Sequence, residues 1–241
     1  MTSTSQPRTF VLVHGAGHGA WAWRRLADLL RAHGHRVHTP TLTGLAERSH
    51  LMSGDITLQT HIQDVVNLFR WEDVEDATLV AHSYGGWVVS GAVEQLESRV
   101  SALAYVDAFL PEDGQRGHDL LNEQQKAQLE AAKALGEVSR PGPTSTALRI
   151  QRPEDAAWVD AHITPQPLGV SMDPVRLSGA RERVRHKLYV RTPLFPQPVF
   201  DAALARCQAD AGWRTAVMDG CGHDPMIDDP EGLAALLEGL K

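Results

Sequence analysis

Cysteine is scarce in this 241-residue sequence, which contains only Cys207 and Cys221. Neither belongs to a Cys-x-x-Cys motif, and the twelve histidines lack the spacing of a His-Glu-x-x-His or comparable metal-binding motif. We therefore predict that the protein binds no metal. In a reducing compartment, two cysteines without such a motif are expected to be buried thiols rather than a disulfide.

Long apolar runs and concentrated positive charge are also lacking. No window approaches the ~18 consecutive apolar residues of a membrane-spanning helix. The first ten residues, MTSTSQPRTF, lack the basic and apolar regions of a signal peptide. The net charge is −7, whereas nucleic-acid binding requires a basic face. These absences predict a soluble cytoplasmic protein that binds neither a membrane nor a nucleic acid, and they are compatible with a homodimer.

Short strand-like runs alternate with segments of helical periodicity along most of the chain. This alternation predicts an α/β fold with a doubly wound, mostly parallel sheet of about six strands. Ligands bind at the carboxyl ends of the strands in such sheets, so residues that directly follow a strand are the candidates for chemistry. The predicted strands are residues 10–13, 37–39, 78–81, 102–106, 187–190 and 215–218.

The alternation stops between residues 111 and 185. This segment is rich in Gln, Glu, Pro and Arg, with a helix-like middle at 120–135 and the proline-containing stretch Arg140–Pro143. It is too long for an ordinary loop, so we predict an inserted helical lid. The expected organisation is a core formed by residues 1–110 and 186–241, interrupted by a lid of residues 111–185.

The stretch LVAHSYGGW, residues 79–87, places one serine between an apolar strand and two glycines. A strand, an x-Ser-x-Gly turn and a helix together form a nucleophile elbow, whose tight turn exposes the serine hydroxyl. Ala81 stands where the first glycine is usual, which exchanges one small residue for another. Ser83 is therefore the candidate nucleophile, and a turn without chemistry is the alternative.

A serine nucleophile requires a base. The late stretch DGCGHD, residues 219–224, places His223 after the last predicted strand in a glycine-containing loop. The chain order serine, acid, histidine is typical of nucleophile-elbow hydrolases, so His223 is the candidate base. His82 is adjacent to the serine in sequence, and its side chain is expected to point away and pack in the core.

These motifs, together with the opening LVHGAGHGAW at residues 12–21, resemble the α/β-hydrolase superfamily. The nearest branch is that of the small, salicylate-esterase-like methyl-ester esterases of plants and bacteria, which also contains the hydroxynitrile lyases. The resemblance implies the α/β-hydrolase fold and an oxyanion hole formed by the backbone N–H groups of Ala16 and Tyr84. Two such preorganised donors can each contribute ~3 kcal/mol to transition-state stabilisation.

The position of the acidic residue that would pair with His223 differs from that in most members of the resembled family. Most relatives carry an aspartate in the loop after the strand at 187–190, but here that loop, RTPLFPQP at residues 191–198, has no carboxylate. Asp201 follows at the start of a predicted helix, where an N-cap role is expected. Asp107 ends the strand at 102–106, beside the nucleophile strand, and keeps the chain order. We predict Asp107 as the acid, with Asp201 as the alternative.

The residue types at two positions reduce the number of reactions that this site is expected to catalyse. Plant lyases of the resembled branch carry Thr where this chain has Gly15, and Lys directly after the catalytic histidine, where it has Asp224. Without that ammonium a departing cyanide lacks stabilisation, so hydrolysis of a small carboxylic ester through an acyl-enzyme is expected, without metal or organic cofactor. The alternatives are a hydroxynitrile lyase, another non-hydrolytic member, or a non-catalytic small-molecule-binding protein.

Substrate contacts are expected from the lid and from the loop after the first strand. The candidates are His18, Trp21 and Trp158, and for each of them simple packing is the alternative. By analogy, an apolar pocket under a lid suits a small aromatic or terpenoid-like ester. Further candidates are Trp87, Leu120 and Leu121.

Overall fold

The computed structural model describes residues 6–240. Residues 1–5, which belong to the stretch that lacks signal-peptide features, lie outside this range. Every predicted strand is present, with ends shifted by at most two residues. In chain order the strands of the described chain are β1 (Thr9–Val13), β2 (Arg36–His38), β3 (Ala77–His82), β4 (Val100–Val106), β5 (Ser139–Arg140), β6 (Gln166–Pro167), β7 (His186–Arg191) and β8 (Arg214–Val217).

Helices separate the strands, and several of them begin at side-chain caps. Thr57 and Thr60 form a reciprocal capping box at the start of α2, and Asp229 caps α10 by accepting a hydrogen bond from the Gly232 amide. The helices are α1 (Arg24–Ala32), α2 (Leu58–Trp71), α3 (Gly85–Leu96), α4 (Glu123–Ala134), α5 (Ser145–Leu148), α6 (Pro153–His162), α7 (Ala180–Arg183), α8 (Pro198–Gln208), α9 (Pro225–Asp228) and α10 (Pro230–Glu238).

Six strands form one parallel sheet in the order β2-β1-β3-β4-β7-β8. The predicted α/β class with a sheet of about six strands is therefore confirmed. Strand β3, which directly precedes Ser83, lies at the centre between β1 and β4, so the loops after these three strands lie side by side at the carboxyl edge. Strands β5 and β6 pair antiparallel in a separate two-stranded sheet.

Alternate residues of the central strands face two apolar layers, as a sheet covered by helices on both faces requires. On one face Val11, Leu79 and Tyr105 pack with α2 and α3, and on the other Leu12 and Val80 pack with α1 and α10. Within residues 6–240, no helix combines the length and the apolar character that are needed to cross a membrane.

The two cysteines are buried free thiols, as predicted. Cys207 packs in the layer that contains α2 and α3, and Cys221 packs in the opposite layer, so the sheet separates them. Burial raises the pKa of each thiol to about 12, which keeps both protonated and unreactive at neutral pH.

The segment between β4 and β7 is attached to the core by backbone hydrogen bonds. The Thr164 amide donates to the Gly17 carbonyl at 2.9 Å, and the His223 amide donates to the Leu148 carbonyl at 2.8 Å. Gly17 and His223 lie in the loops after β1 and β8, so the segment contacts the carboxyl edge of the sheet. Its helix α4 corresponds to the helix-like stretch predicted at 120–135. Its role as a lid stays a prediction.

Candidate active site

Ser83 occupies the sharp turn between β3 and α3. Its φ of 51° lies in the left-handed region, which is unfavourable for a residue with a side chain. The turn is held from two sides, because the Ser83 carbonyl accepts hydrogen bonds from the Gly86 amide of α3 at 3.0 Å and from the Phe109 amide after β4 at 3.1 Å. The strained turn directs the hydroxyl away from the sheet at its carboxyl edge.

The glycines of the elbow are required by close backbone approach. A Cβ atom on Gly85 would lie 2.7 Å from the Val13 carbonyl oxygen, and one on Gly86 would overlap with the Phe109 carbonyl. The two glycines therefore let α3 begin directly against the ends of β1 and β4. Such contacts explain why small residues follow the serine in the sequence.

A continuous hydrogen-bond chain joins Ser83, His223 and Asp107. His223 Nδ1 lies 2.6 Å from Asp107 Oδ2, and its Nε2 lies 2.8 Å from Ser83 Oγ. A carboxylate accepts the Nδ1–H, which leaves Nε2 as the acceptor for the serine hydroxyl. The imidazole is 3% exposed and stacks on Phe195, with ring centroids 4.1 Å apart. This packing fixes the ring plane between the hydroxyl and the carboxylate.

Asp107 is fully buried, and both of its carboxylate oxygens are hydrogen-bonded. Oδ2 contacts His223, while Oδ1 accepts from Arg191 Nη1 at 2.7 Å and from the Thr192 amide at 3.1 Å. Asp107 also has a left-handed φ of 42°. The loop after β7 lacks a carboxylate, but the last residue of β7 and the first residue after it supply the N–H groups that hold the carboxylate at the end of β4.

Asp201 lies on the other side of Arg191, whose Nε donates to Asp201 Oδ1 at 2.8 Å. The side chain of Asp201 is 62% exposed, whereas that of Asp107 is fully buried. The expected N-cap role of Asp201 is wrong, because α8 begins earlier, with Gln197 at the N-cap and Pro198 in the first turn. Proline has a fixed φ that suits the first helical position, so it sets the start of the helix.

The amides of Ala16 and Tyr84 flank the serine. Both residues line a cavity that contains Ser83. Within residues 6–240, neither amide donates a hydrogen bond to another protein group. The neighbouring Gly17 amide is bound instead to Gln166 Oε1 at 2.8 Å, which anchors the loop that carries Ala16.

His18 forms an ion pair beneath the same loop. Its Nδ1 lies 2.8 Å from the Ala16 carbonyl oxygen and its Nε2 lies 3.0 Å from Asp224 Oδ2, so both ring nitrogens face acceptors. Burial by itself lowers the pKa of His18, but Asp224 and the Ala16 carbonyl outweigh it and raise the pKa above its ordinary value. In turn His18 and its histidine neighbours outweigh the effect of burial on Asp224 and hold its pKa low. The pair is therefore charged.

His82 packs in the core, as the sequence predicted, and it also contacts the loop of His223. Its Nε2 lies 2.9 Å from the His223 carbonyl oxygen, to which it donates as a neutral imidazole. Burial, reinforced by the nearby His223, holds the pKa of His82 well below its ordinary value. His82 thus supports the backbone of His223 rather than the Ser83 hydroxyl.

Two cavities meet at Ser83. One of about 360 Å³ is lined by His18, His223 and Pro141, among others. A smaller one of about 170 Å³ has both polar and apolar lining residues, and the larger apolar ones are Trp87, Phe109, Leu120, Leu121, Val170 and Val199. Of the further candidates named from the sequence, Trp87, Leu120 and Leu121 therefore line a cavity at the serine.

The two predicted tryptophans lie behind His18. The Trp21 ring stacks on His18 with centroids 5.3 Å apart, and Trp158 meets Trp21 edge-on at 5.1 Å. The linings of the two cavities at Ser83 include His18 but neither tryptophan, within the described part of the chain. This stack supports the position of His18 in the cavity wall.

A sequence model of the alpha/beta hydrolase family matches residues 10–236, which is nearly the whole chain. This chain is an alpha/beta hydrolase. The family that the sequence motifs resembled is thus confirmed. A carbendazim hydrolyzing esterase from Nocardioides sp. (strain SG-4G) is 36% identical over 241 residues, which cover 96% of this chain and 98% of that protein.

Other relatives of this alpha/beta hydrolase come from plants and bacteria. The putative chloroplastic methylesterase 13 of Arabidopsis thaliana is 26% identical, and the match covers 97% of this chain but about half (56%) of the plant protein. An extracellular alpha/beta-hydrolase from a Paenibacillus species superposes with a TM-score of 0.82 at 24% identity, covering 97% of this chain and 99% of the other. At that identity the structural match shows the fold alone.

Sequence reasoning missed several residues of the site in this alpha/beta hydrolase. Arg191 and Thr192 hold Asp107, Phe195 stacks on His223, and Gln166 anchors Gly17. Arg191 and Thr192 directly follow the core of a predicted strand, so their position at the carboxyl edge was a usable signal. Gln166 lies in the inserted segment, where no sequence pattern connects it to the loop after β1.

Proposed function

We propose that this alpha/beta hydrolase is a serine esterase in which Ser83 is the nucleophile, His223 the general base and Asp107 the acid. The observation that carries the proposal is the buried hydrogen-bond chain, with 2.8 Å from Ser83 Oγ to His223 Nε2 and 2.6 Å from His223 Nδ1 to Asp107 Oδ2. Ester hydrolysis as the class of reaction is supported by the relatives, which are named as an esterase and as methylesterases.

The first half-reaction forms an acyl-enzyme. Ser83 Oγ attacks the ester carbonyl carbon while His223 Nε2 accepts the hydroxyl proton. Asp107 stabilises the resulting imidazolium and holds its Nδ1–H in place. The tetrahedral intermediate then collapses, His223 protonates the leaving alkoxide, and the alcohol departs.

The second half-reaction releases the acid. Water donates a proton to His223 Nε2 and attacks the acyl carbon, and the intermediate expels Ser83 Oγ, which regains the proton. The Ala16 and Tyr84 amides are proposed to donate to the oxyanion in both steps. Their N–H groups have no protein acceptor within the described chain, and both residues line a cavity with Ser83, Ala16 from the loop after β1 and Tyr84 from the start of α3. This cycle requires no metal and no organic cofactor.

The hydroxynitrile lyase alternative is disfavoured by the residue that follows His223. Asp224 is fully buried and paired with His18, and its pKa is held low. A carboxylate that is already paired with His18 supplies no positive charge to stabilise a departing cyanide. The non-catalytic alternative rested on the missing carboxylate in the loop after β7, but the contact of Asp107 with His223 removes that reason.

The proposed substrate is a small-molecule ester with an apolar part. Trp87, Phe109 and Leu120 line the smaller cavity and support an apolar group on one side of the ester bond. Trp21 and Trp158 are proposed to act indirectly, through the position of His18. The cytoplasmic location, the homodimer and the lack of nucleic-acid and membrane partners stay predictions.

A fluorophosphonate probe tests the proposal, because it reacts with an activated serine. We expect labelling of the wild-type protein at Ser83, read by mass spectrometry of the digest, and none at this position in Ser83→Ala. The same substitution is expected to lower kcat for a reactive aryl ester by ~10⁴-fold or more. Labelling at another residue, or no labelling, would refute the assignment. If Ser83 is labelled, hydrolysis of a panel of methyl and aryl esters would narrow the range of substrates.

A further inference from the structure

Arg140 lies where the cavities of the site meet. Its side chain lines both cavities at Ser83 and also a third cavity of about 400 Å³ between α4 and Leu168. Arg140 belongs to the inserted segment, in strand β5. A residue shared by all three cavities contacts any ligand that extends from the serine toward α4.

The guanidinium of Arg140 has no counter-charge of its own. Within residues 6–240 it forms no ion pair and no hydrogen bond, although Glu137 lines the third cavity with it. By contrast, the guanidinium of Arg191 donates to two carboxylates and to the carbonyls of Thr192 and Phe195. One arginine of the site is saturated with acceptors, and the other is available to a ligand.

The electrostatic surroundings of Arg140 favour an anion. Among the described residues that line the two cavities at Ser83, there is no aspartate or glutamate. The positive charge of His18 is neutralised by Asp224, so Arg140 supplies the uncompensated charge. Burial lowers the pKa of Arg140, partly offset by the Tyr84 hydroxyl, yet a guanidinium stays protonated at physiological pH. Arg140 as a residue is exposed, so its guanidinium is accessible to an incoming anion, and hydrogen bonds between two charged groups strengthen such a contact.

The backbone of Arg140 is fixed relative to the oxyanion loop. Arg140 pairs with Gln166 in the two-stranded sheet β5-β6, and Gln166 Oε1 accepts the Gly17 amide at 2.8 Å. Gly17 follows Ala16, one of the proposed oxyanion donors. The backbone that carries the guanidinium is therefore coupled to the place where the ester carbonyl would bind.

We propose that Arg140 is a specificity-determining residue that binds a carboxylate on the substrate, so that the preferred substrates are esters with a second, free carboxylate group. The inference rests on the proposed function. The guanidinium binds the carboxylate through paired N–H donors, Ser83 acts on the ester carbonyl, and the apolar group faces Trp87 and Phe109. In a protein of net charge −7, this cation is the feature that attracts such an anion to the serine.

A matched pair of substrates tests this inference. The mono(4-nitrophenyl) ester of glutaric acid carries a free carboxylate, and 4-nitrophenyl pentanoate has the same chain length without it. For Arg140→Gln we expect the ratio of kcat/KM for the charged ester to that for the neutral ester to fall on the order of tenfold to a hundredfold, mainly through KM. Arg140→Lys should restore part of this preference, since it keeps the charge but loses the paired geometry.

Arg176→Gln is the matched control, because it removes the same charge from an exposed arginine outside the two cavities at Ser83. It should leave the ratio unchanged. An Arg140→Gln ratio equal to that of the wild type would overturn the inference. So would an equal loss for both esters, which would indicate a structural role.

Calorimetry separates this inference from the proposed function, because binding requires no turnover. Ser83→Ala should bind the charged ester more tightly than the neutral one, and the double variant Ser83→Ala/Arg140→Gln should lose that difference. If the binding preference exists but the wild type hydrolyses neither ester, the proposed function fails and the role of Arg140 stands. If both esters are hydrolysed without any preference, the role of Arg140 fails alone.

Discussion

The site has two walls that differ in how they are built. The core wall carries Ser83, Asp107 and His223, which are at most 9% exposed and joined by short hydrogen bonds. The wall from the inserted segment carries short helices, mostly exposed side chains and Arg140, an arginine without an internal partner within residues 6–240. A wall whose polar groups are all hydrogen-bonded within the protein holds reacting atoms in fixed positions, which suits catalysis. A wall with polar groups that lack such partners can bind a ligand instead. The predictions below test this division.

The largest effect is expected for the carboxylates beside Arg191. Asp107→Asn keeps the shape of the side chain but removes the charge that orients and stabilises His223, so kcat for an aryl ester should fall by ~10⁴-fold. Asp201→Asn, at an exposed position, should change kcat by less than about threefold. Steady-state kinetics measure both, with circular dichroism as a check on folding. If Asp201→Asn caused the larger loss, Asp201 would be the acid.

Glycine substitutions test the rigidity of the two walls. An alanine at Gly86 would place its Cβ onto the Phe109 carbonyl, so Gly86→Ala should lower the free energy of unfolding by about 3 kcal/mol and disturb the elbow. Gly136 follows α4, has a φ of 75° and faces open space, so Gly136→Ala should cost only about 1 kcal/mol. Urea unfolding measures both values. If both substitutions lowered the free energy of unfolding equally, the backbone around Gly86 would be able to move to accommodate the added methyl group.

A smaller effect, with a definite pH dependence, is expected for the ion pair of His18 and Asp224. A histidine whose pKa is raised by folding stabilises the protein fully below its unfolded value of 6.5 and loses this contribution as the pH rises through the folded pKa. The difference in unfolding free energy between wild type and His18→Gln should therefore be larger at pH 6 than at pH 9. His14, His82 and His223 also face this pair and are unchanged in the variant.

His50→Gln serves as the control for that measurement, because His50 is exposed. Its substitution should change the unfolding free energy little at either pH. A His18→Gln difference that is constant with pH, or larger at pH 9, would contradict the assignment of a charged His18. Urea unfolding at both values would show which of these holds.

The parts of the fold that the sequence predicted are those with local physical signals. The middle of strand β3, residues 79–81, is an apolar run. The elbow is marked by small residues around Ser83, and His223 follows the last predicted strand. The α/β sheet follows from these patterns because strands and helices have different hydrophobic periods. Helix α8 begins before the predicted position, because Pro198, whose φ is fixed, suits the first helical position better than Asp201 suits the N-cap.

The inserted segment was less predictable, because its important contacts are long-range. Gln166 meets Gly17, and Leu148 meets His223, through hydrogen bonds that join residues far apart in the chain. No periodicity indicates such pairs. Likewise, the sequence offered Trp21 and Trp158 as pocket residues for their size, while the structure stacks them behind His18.

The sequence by itself determined the class of fold, the turn that strains Ser83, and the residue types available at the carboxyl edge. These depend on short-range sterics and on the alternation of apolar residues. Tertiary structure decided which carboxylate contacts His223 and which arginine lacks a counter-charge within residues 6–240. Asp107 and Asp201 are both near Arg191, but burial and the strand order β3-β4-β7 bring only Asp107 to the imidazole within the described chain. These contacts depend on distances between strands that are far apart in the sequence, and no short stretch of residues indicates such distances.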